Sequence, residues 1–174
     1  MAGDTHVVSG VATKIISPLV TPGLTQVDVT ARIPLGTIVH TDMGGVAEYG
    51  QAISAISQYA FCVLYDGGSA EMATTTLANQ AGAGSRKIGC PQASIASAYF
   101  GWFMRQGTFI GRFSDDCADQ VPLFTTATAG ELDDATVSNC LVAGVYLNTT
   151  ESLATALTCY AAQSMCVLPY TNPA

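Results

Sequence analysis

The chain has 174 residues, of which 49% are hydrophobic and only 11% are charged. This length is enough for one domain with a core, and the apolar content excludes an intrinsically disordered chain. The formal net charge is −7 at pH 7, and all of it lies in residues 113–174, which contain seven acidic residues and no Lys or Arg. We therefore expect no direct binding of nucleic acid, because a phosphate backbone would be repelled.

Residues 1–26 are predicted to form an extended N-terminal arm, because short apolar stretches alternate there with Pro18, Pro22 and Gly23. Apolar side chains in such an arm indicate that it docks on its own domain or on a neighbour. The aliphatic residues predicted to bind a partner are Val7, Val8, Val11, Ile15, Ile16, Leu19 and Val20. Residues 27–174 are then predicted to form one β domain.

The first half of the domain reads as short strands separated by turns. Residues 27–33 alternate apolar and polar, which predicts a half-buried strand. A strand over 35–40, a turn over 42–45 and a return strand over 46–53 follow. The apolar run 59–65 predicts a strand that ends at Asp66-Gly67-Gly68, a typical turn sequence. Residues 71–85 are predicted to form a surface loop with one helical turn.

The central stretch 99–135 contains the single Trp and predicts three strands that Gly107 and residues 114–116 separate. Trp102 shares one face with other apolar residues, which favours the core, but the opposite face is also apolar. We expect another subunit to cover that second face, since a solvated antiparallel sheet has one polar side. Later strands are predicted at 141–147 and 158–168.

Seven or more short strands at close spacing predict an all-β fold, either a small antiparallel β-barrel or a sandwich, with an extended N-terminal arm. The sequence shows no internal repeat and no second domain. The thinly charged composition suggests that partners bury much of the surface, since charge normally keeps free protein surfaces apart.

The sequence contains little reactive chemistry. The six cysteines lack a Cys-x-x-Cys pair and follow no export signal, so we expect reduced, mostly buried thiols and no zinc site. His6 and His40 are the only histidines. Position alone leaves open a pairing of Cys117 with His40, but the spacing does not support it. We therefore predict no enzyme activity, no catalytic residue, no cofactor and no metal site.

Two further motifs have simple explanations. The acidic groups Asp115-Asp116 with Asp119, and Asp133-Asp134, lack the alternating ligands of a calcium loop, and Asx turns explain them equally well. Residues 82–87 superficially resemble a phosphate loop but lack its Gly-Lys-Ser/Thr ending. No secretory signal and no apolar run long enough to cross a bilayer is visible. We expect a protein that is made in the cytosol and has no membrane partner.

The order of several segments resembles the small β-barrel capsid decoration, or cement, proteins of tailed phages. The segments are Leu35-Gly-Thr-Ile-Val, Glu48-Tyr49 with Gln51-Ala52 and Ala55-Ile56, Tyr99-Phe-Gly-Trp102 followed by Gly107, Val121-Pro-Leu-Phe-Thr-Thr-Ala-Thr-Ala-Gly-Glu-Leu-Asp-Asp134, and Val142-Ala-Gly144. They cover roughly residues 35–147, and each alone carries little information. The cysteine content and the long arm depart from the family.

The resemblance implies a structural protein of the virion, located on the capsid surface. Its expected partners are the major capsid protein and copies of itself, as a homotrimer or another homo-oligomer. It implies no catalytic residues. Two alternatives stay open: another phage structural component, such as a tail or head–tail connector protein, and a cytosolic hydrolase or small-molecule-binding β-barrel.

Overall fold

We describe the fold from a computed structural model, which describes residues 7–8, 11–12, 23–41, 44–78, 86–136, 140–150 and 155–168. The described residues contain one short helix, and the rest of the regular structure is β, so the predicted all-β class is confirmed. No helix in the described part is long and apolar enough to cross a membrane. The elements are β1 (Val7–Val8), β2 (Val11–Ala12), β3 (Val27–Asp28), β4 (Ile38–His40), β5 (Val46–Ala52), β6 (Cys62–Leu64), β7 (Ser69–Met72), α1 (Thr75–Ala78), β8 (Lys87–Pro91), β9 (Phe100–Phe113), β10 (Leu123–Thr125), β11 (Leu132–Asp133), β12 (Leu141–Leu147) and β13 (Thr155–Leu168).

Eleven of the strands form one sheet, which closes on itself twice rather than forming a single clean barrel. The first closed cycle of paired strands is β9–β5–β7–β6–β8, and the second is β9–β13–β12–β10–β11. Each cycle contains one parallel pair, β5 with β7 and β9 with β11. The sheet is therefore mixed, whereas the sequence predicted an antiparallel one.

Strand β9 belongs to both cycles. Its N-terminal half pairs with β5, where Gly101 lies opposite Gly50, and its C-terminal half pairs with β13, where Gly111 lies opposite Leu157. The prediction of two strands separated at Gly107 is wrong. Gly107 has a φ of 100°, and this left-handed conformation lets the backbone change partners without a turn.

The pairing scheme of the first cycle is repeated in the second. A residue of β5 corresponds to the residue 61 positions later in the chain, on the C-terminal half of β9. A residue of the N-terminal half of β9 corresponds to the residue 56 positions later, on β13. The chain therefore contains an internal structural repeat that the sequence did not reveal. Cross-strand pairs of the first cycle have matching pairs in the second: Gly50–Gly101 matches Gly111–Leu157, Ala47–Met104 matches Thr108–Tyr160, Ala52–Ala70 matches Phe113–Leu132, and Pro91–Phe103 matches Leu147–Cys159.

The two cycles fill their interiors with large side chains at different positions. In the first cycle, the ring of Phe103 packs with the small residues Ala52 and Cys62. At the corresponding positions the second cycle has a small Cys159 together with the larger Phe113 and Leu123. All of these residues are nearly or completely buried. Large and small side chains are thus distributed differently in the two cycles, a type of difference that cores tolerate.

The chain covers the two faces of β9 only in part. Phe103 is fully buried in the first cycle, and on the other face Trp102 packs edge-on against Tyr49, with 5.1 Å between the ring centroids. Closure of the first cycle therefore buries Phe103 without another subunit, whereas Tyr99 on the same face is 36% exposed. The expectation that another subunit covers the rest of this face stays a prediction.

Strand β3 is shorter than the predicted strand over 27–33, because Asp28 turns inward. Asp28 is 6% exposed. Its carboxylate accepts hydrogen bonds from the hydroxyl of Tyr49 at 2.9 Å and from Nε2 of Gln26 at 3.0 Å. Arg32 pairs with the same carboxylate at 2.7 Å. These contacts bend residues 29–33 over Tyr49 and away from the sheet.

Candidate partner-binding site

Two loops of the first cycle meet in a nearly symmetric arrangement, and we call residues 53–60 and 92–99 the first loop pair. The amide of Ile56 donates to the carbonyl of Ile95 at 2.8 Å, and the amide of Ile95 donates back at 2.9 Å. At the loop ends, Tyr59 donates to Pro91 at 2.9 Å and Ala98 donates to Ala52 at 2.8 Å. Each loop therefore uses its own backbone to bind the other.

Side chains add further hydrogen bonds across the first loop pair. Nε2 of the Gln58 side chain donates to the carbonyl of Gln92 at 2.9 Å, and the backbone amide of Gln58 donates to the hydroxyl of Ser94 at 3.1 Å. The hydroxyl of Ser97 donates to the carbonyl of Ile53 at 3.1 Å. Loops with their polar groups bound in this way form a fixed surface, which lowers the ordering cost of binding a partner.

The first loop pair has no charged residue, and exposed apolar side chains lie on it and beside it. Ile53 and Tyr99 of the loop pair are 52% and 36% exposed, and Val29, directly after β3, is 68% exposed; we call these three residues the apolar corner. Tyr99 lies between the other two, since β3 and β5 flank β9 on opposite sides, where Asp28 and Gln51 both pair with Phe100. An exposed apolar group on a fixed, uncharged surface is typical of a protein-binding site.

The second cycle repeats part of this arrangement with different chemistry, within the described residues 114–122 and 148–150. The backbone amide of Gln120 donates to the carbonyl of Leu147 at 3.3 Å, and that of Asp119 donates to the hydroxyl of Thr150 at 3.2 Å. These bonds correspond to those of Tyr59 with Pro91 and of Gln58 with Ser94. Residues 114–122 contain Asp115, Asp116 and Asp119, so this part of the second cycle presents an acidic surface.

A thiol and two carboxylates come together below this acidic surface. The ligand atoms of Cys117, Asp133 and Asp134 lie within 4.8 Å of one another. Burial, followed by the charges of Asp134 and Asp133, raises the pKa of Cys117 to about 11. One carboxylate has a structural contact, since Asp134 accepts a hydrogen bond from the amide of Ala118 at 3.1 Å.

Cys117 is distant from Asp133 and Asp134 in the sequence, and neither spacing nor composition indicated that the three side chains lie together. The parallel pairing of β9 with β11, which places Phe113 opposite Leu132, brings the two segments together. A long-range parallel contact of this kind has no local sequence signal.

The one buried carboxylate on β5 is bound by two cations. Glu48 is 2% exposed, and its oxygens contact Nζ of Lys87 at 3.0 Å and Nη1 of Arg105 at 2.9 Å. The Arg105 Nε is buried and has no hydrogen-bond partner among the described residues. The group holds β5, β8 and β9 together on one side of the first cycle, which is a structural role.

The structure does not bring together Cys117 and His40, the pairing that sequence position alone left open. His40 lies exposed on β4, beside β5, whereas Cys117 lies next to Asp133 and Asp134. The six cysteines are free, and all except Cys166 are buried. Burial raises the pKa of Cys90, which also lies near the thiols of Cys159 and Cys62, well above its usual range. Buried thiols with raised pKa values are unreactive, in agreement with their predicted role as small core residues.

The predicted binding residues of the arm are only partly described. Val7 and Val8 pair with Val11 and Ala12 in a two-stranded sheet separate from the main sheet. The remaining predicted arm contacts, Ile15, Ile16, Leu19 and Val20, lie outside the described residues. The binding role of the arm stays a prediction.

Comparison of the chain with models of protein families, with curated proteins and with solved structures gives no match.

Proposed function

We propose that this chain is a structural subunit of a virion that binds an assembled capsid shell and stabilises it by joining neighbouring shell subunits. The observation that supports the proposal most directly is the apolar corner, in which Ile53 and Tyr99 belong to the uncharged first loop pair. Burying one large apolar side chain contributes roughly 1.5–3 kcal/mol. Covering the exposed parts of Ile53, Tyr99 and Val29 would therefore contribute to binding, against the free-energy cost of association.

The charge distribution fits the same function. The first loop pair has no charged residue, whereas the corresponding loop of the second cycle has three aspartates. A protein that sits on a shell has one surface against its partner and another in water. We assign the uncharged end of the molecule to the shell and the acidic end to solvent.

The test uses shells of a tailed phage whose genome encodes this chain, purified without the protein. Adding the wild-type protein should raise the thermal disruption temperature of the shells, and the increase should saturate with occupancy. Equal disruption temperatures at full occupancy would overturn the proposal. So would a failure of the protein to co-sediment with shells at any concentration.

A matched pair of variants locates the contact. Tyr99→Ser should weaken binding to shells by at least tenfold, because it removes apolar area from the corner. Tyr146→Ser makes the same change at a tyrosine that is 46% exposed on β12, and binding should be unchanged. Equal effects of the two substitutions would show that the apolar corner is not the contact.

A further inference from the structure

We propose that two copies of this chain associate through β4, which pairs antiparallel with β4 of the second copy. The inference concerns the isolated protein and does not depend on the proposed capsid function.

Strand β4 is at the end of the sheet, with β5 on one side and no strand of the described chain on the other. Val39 pairs with Ala47, the amide of Tyr49 donates to the carbonyl of Thr37 at 2.9 Å, and the amide of Thr41 donates to Gly45 at 2.9 Å. In an antiparallel ladder, hydrogen-bonding groups alternate between the two sides of a strand. The N–H and C=O groups of Ile38 and His40 therefore point away from β5.

These four groups have no hydrogen-bond partner within the part of the chain that the structure describes. Natural proteins usually protect such an edge with Lys, Pro, a bulge or a very short strand. Strand β4 reads Ile-Val-His, so its length of three residues is the one such protection it has. An edge without a charged residue, Pro or bulge is still a template for a short further strand.

The edge is complementary to itself. If Val39 of one copy lies opposite Val39 of the other, Ile38 lies opposite His40 of the partner copy in both directions. Each of these two opposing pairs exchanges two hydrogen bonds, so four bonds satisfy every outward-facing group of both strands. A pairing with two-fold symmetry of this type is the usual basis of a homodimer.

Side chains beside the edge add apolar contact. Ile38, which lies in the pairing segment, is 40% exposed, and Leu35, which precedes that segment, is 37% exposed. The contact is nevertheless short, so the buried area falls below the roughly 1,200 Å² of a standard stable interface. We therefore expect a weak dimer whose population rises with protein concentration.

The first experiment tests the register with disulfide formation in the full-length chain. Ile38→Cys protein is mixed with His40→Cys protein under mild oxidation. In the proposed register the two new cysteines are about 5.5 Å apart between Cα atoms, within disulfide range. Two copies of Ile38→Cys alone would be separated by about 8 Å, which is too far for a bridge without backbone movement.

The mixture should form covalent dimers at least tenfold faster than either variant alone. Val29→Cys, at a position that is 68% exposed, mixed with His40→Cys gives the background rate of random collisions. Equal rates in all mixtures would overturn the proposal.

The second experiment measures association without new cysteines, by sedimentation equilibrium between about 10 μM and 1 mM protein, a range that brackets weak dimers. Wild type and Ile38→Val should both show a rising average mass. Ile38→Pro removes an outward N–H but none of the bonds to β5, and Ile38→Lys places a charge at the edge. Both should reduce the association constant at least tenfold while circular dichroism stays unchanged. A wild-type protein that stays monomeric up to 1 mM, or variants that associate as wild type does, would contradict the inference.

Discussion

Ile56 and Ile95 donate backbone hydrogen bonds to each other, at 2.8 and 2.9 Å, and both side chains are 2% exposed. Each residue is the midpoint of a loop that links two strands, and the pair forms an isolated β-bridge. Each loop supplies the hydrogen-bonding groups that the other loop needs, so neither loop would keep this conformation without the other. The fixed shape of the first loop pair therefore results from a contact between residues 39 positions apart in the chain.

Ala98→Gly should stabilise the protein. Ala98 has a φ of 66°, a left-handed conformation that costs an L-residue about 1–2 kcal/mol and costs glycine almost nothing. The greater chain entropy of glycine in the unfolded state offsets roughly 0.4–1 kcal/mol of this gain. We expect a net increase of about 0.5–1 kcal/mol in the free energy of unfolding, measured with urea. Ala96→Gly, two residues earlier and without a positive φ, should instead destabilise, and equal effects at both sites would contradict the explanation.

Gly107→Ala should destabilise the protein by roughly 1–3 kcal/mol. The backbone there has a φ of 100°, and a Cβ would lie 2.7 Å from the Cα of Gly45. The matched control is Gly67→Ala, where a Cβ has nothing within 4 Å, and that variant should be as stable as wild type or slightly more so. The measurement is urea denaturation of both variants, and similar losses would show that Gly107 is not required for the change of partner along β9.

Glu48→Gln should destabilise the protein by about 3–5 kcal/mol, because it leaves two cations without their buried carboxylate. Gln has the same shape, so little of the loss comes from packing. Lys87→Met should cost much less, since the Lys87 side chain is 31% exposed and Arg105 still pairs with Glu48. Chemical denaturation at neutral pH compares the two variants. If Lys87→Met were as damaging as Glu48→Gln, the unpaired-cation explanation would be wrong.

The raised pKa of Cys117 predicts a loss of stability at alkaline pH. Burial and the neighbouring aspartates raise the pKa from 9.0 to about 11, so the folded state retains a proton that the unfolded state loses. The stabilisation is complete below pH 9 and disappears as the pH rises to about 11. Between pH 8 and pH 11.5, wild type should lose roughly 2–3 kcal/mol more unfolding free energy than Cys117→Ala, at about 1.4 kcal/mol per pKa unit. Parallel pH profiles for the two proteins would disprove this.

Deletion of residues 1–22 should leave the domain folded but weaken its retention on capsid shells. Among the described residues, β1 and β2 pair only with each other, so the main sheet does not depend on them. Several aliphatic side chains at roughly 1.5–3 kcal/mol each could supply much of the attachment energy. Circular dichroism and co-sedimentation with shells measure the two outcomes. A truncated protein that attaches as tightly as the full chain would show that the arm is not a contact.

The sequence predicted the all-β class and several individual elements. The turn at Asp66-Gly67-Gly68 and the strands that became β5, β12 and β13 all carry local signals: turn residues or apolar runs. The continuous strand β9 was missed, because Gly107 reads as a break when only its neighbours in sequence are considered. Its partner Gly45 lies 62 residues away, and that contact makes a glycine necessary within a strand.

The internal repeat was hidden for a different reason. A large residue in one half corresponds to a small one in the other, as Phe103 does to Cys159 and Phe113 does to Ala52. Cores accept a redistribution of large and small side chains as long as the interior is filled. Residue identity therefore differs between the two halves while the register of the backbone hydrogen bonds is the same. The apolar corner was equally invisible, because Val29 joins Ile53 and Tyr99 only after the chain bends at Asp28.

Strand β9 also determines how a mechanical load would pass through the molecule. The apolar corner lies at its N-terminal end, beside Phe100, and the acidic loop begins at its C-terminal end, after Phe113. Fourteen residues in a strand span about 45 Å. The two ends of β9 itself are joined by one covalent backbone and can move apart only as that strand is stretched. A load applied at Val29 or Ile53 first reaches β9 through hydrogen bonds between neighbouring segments.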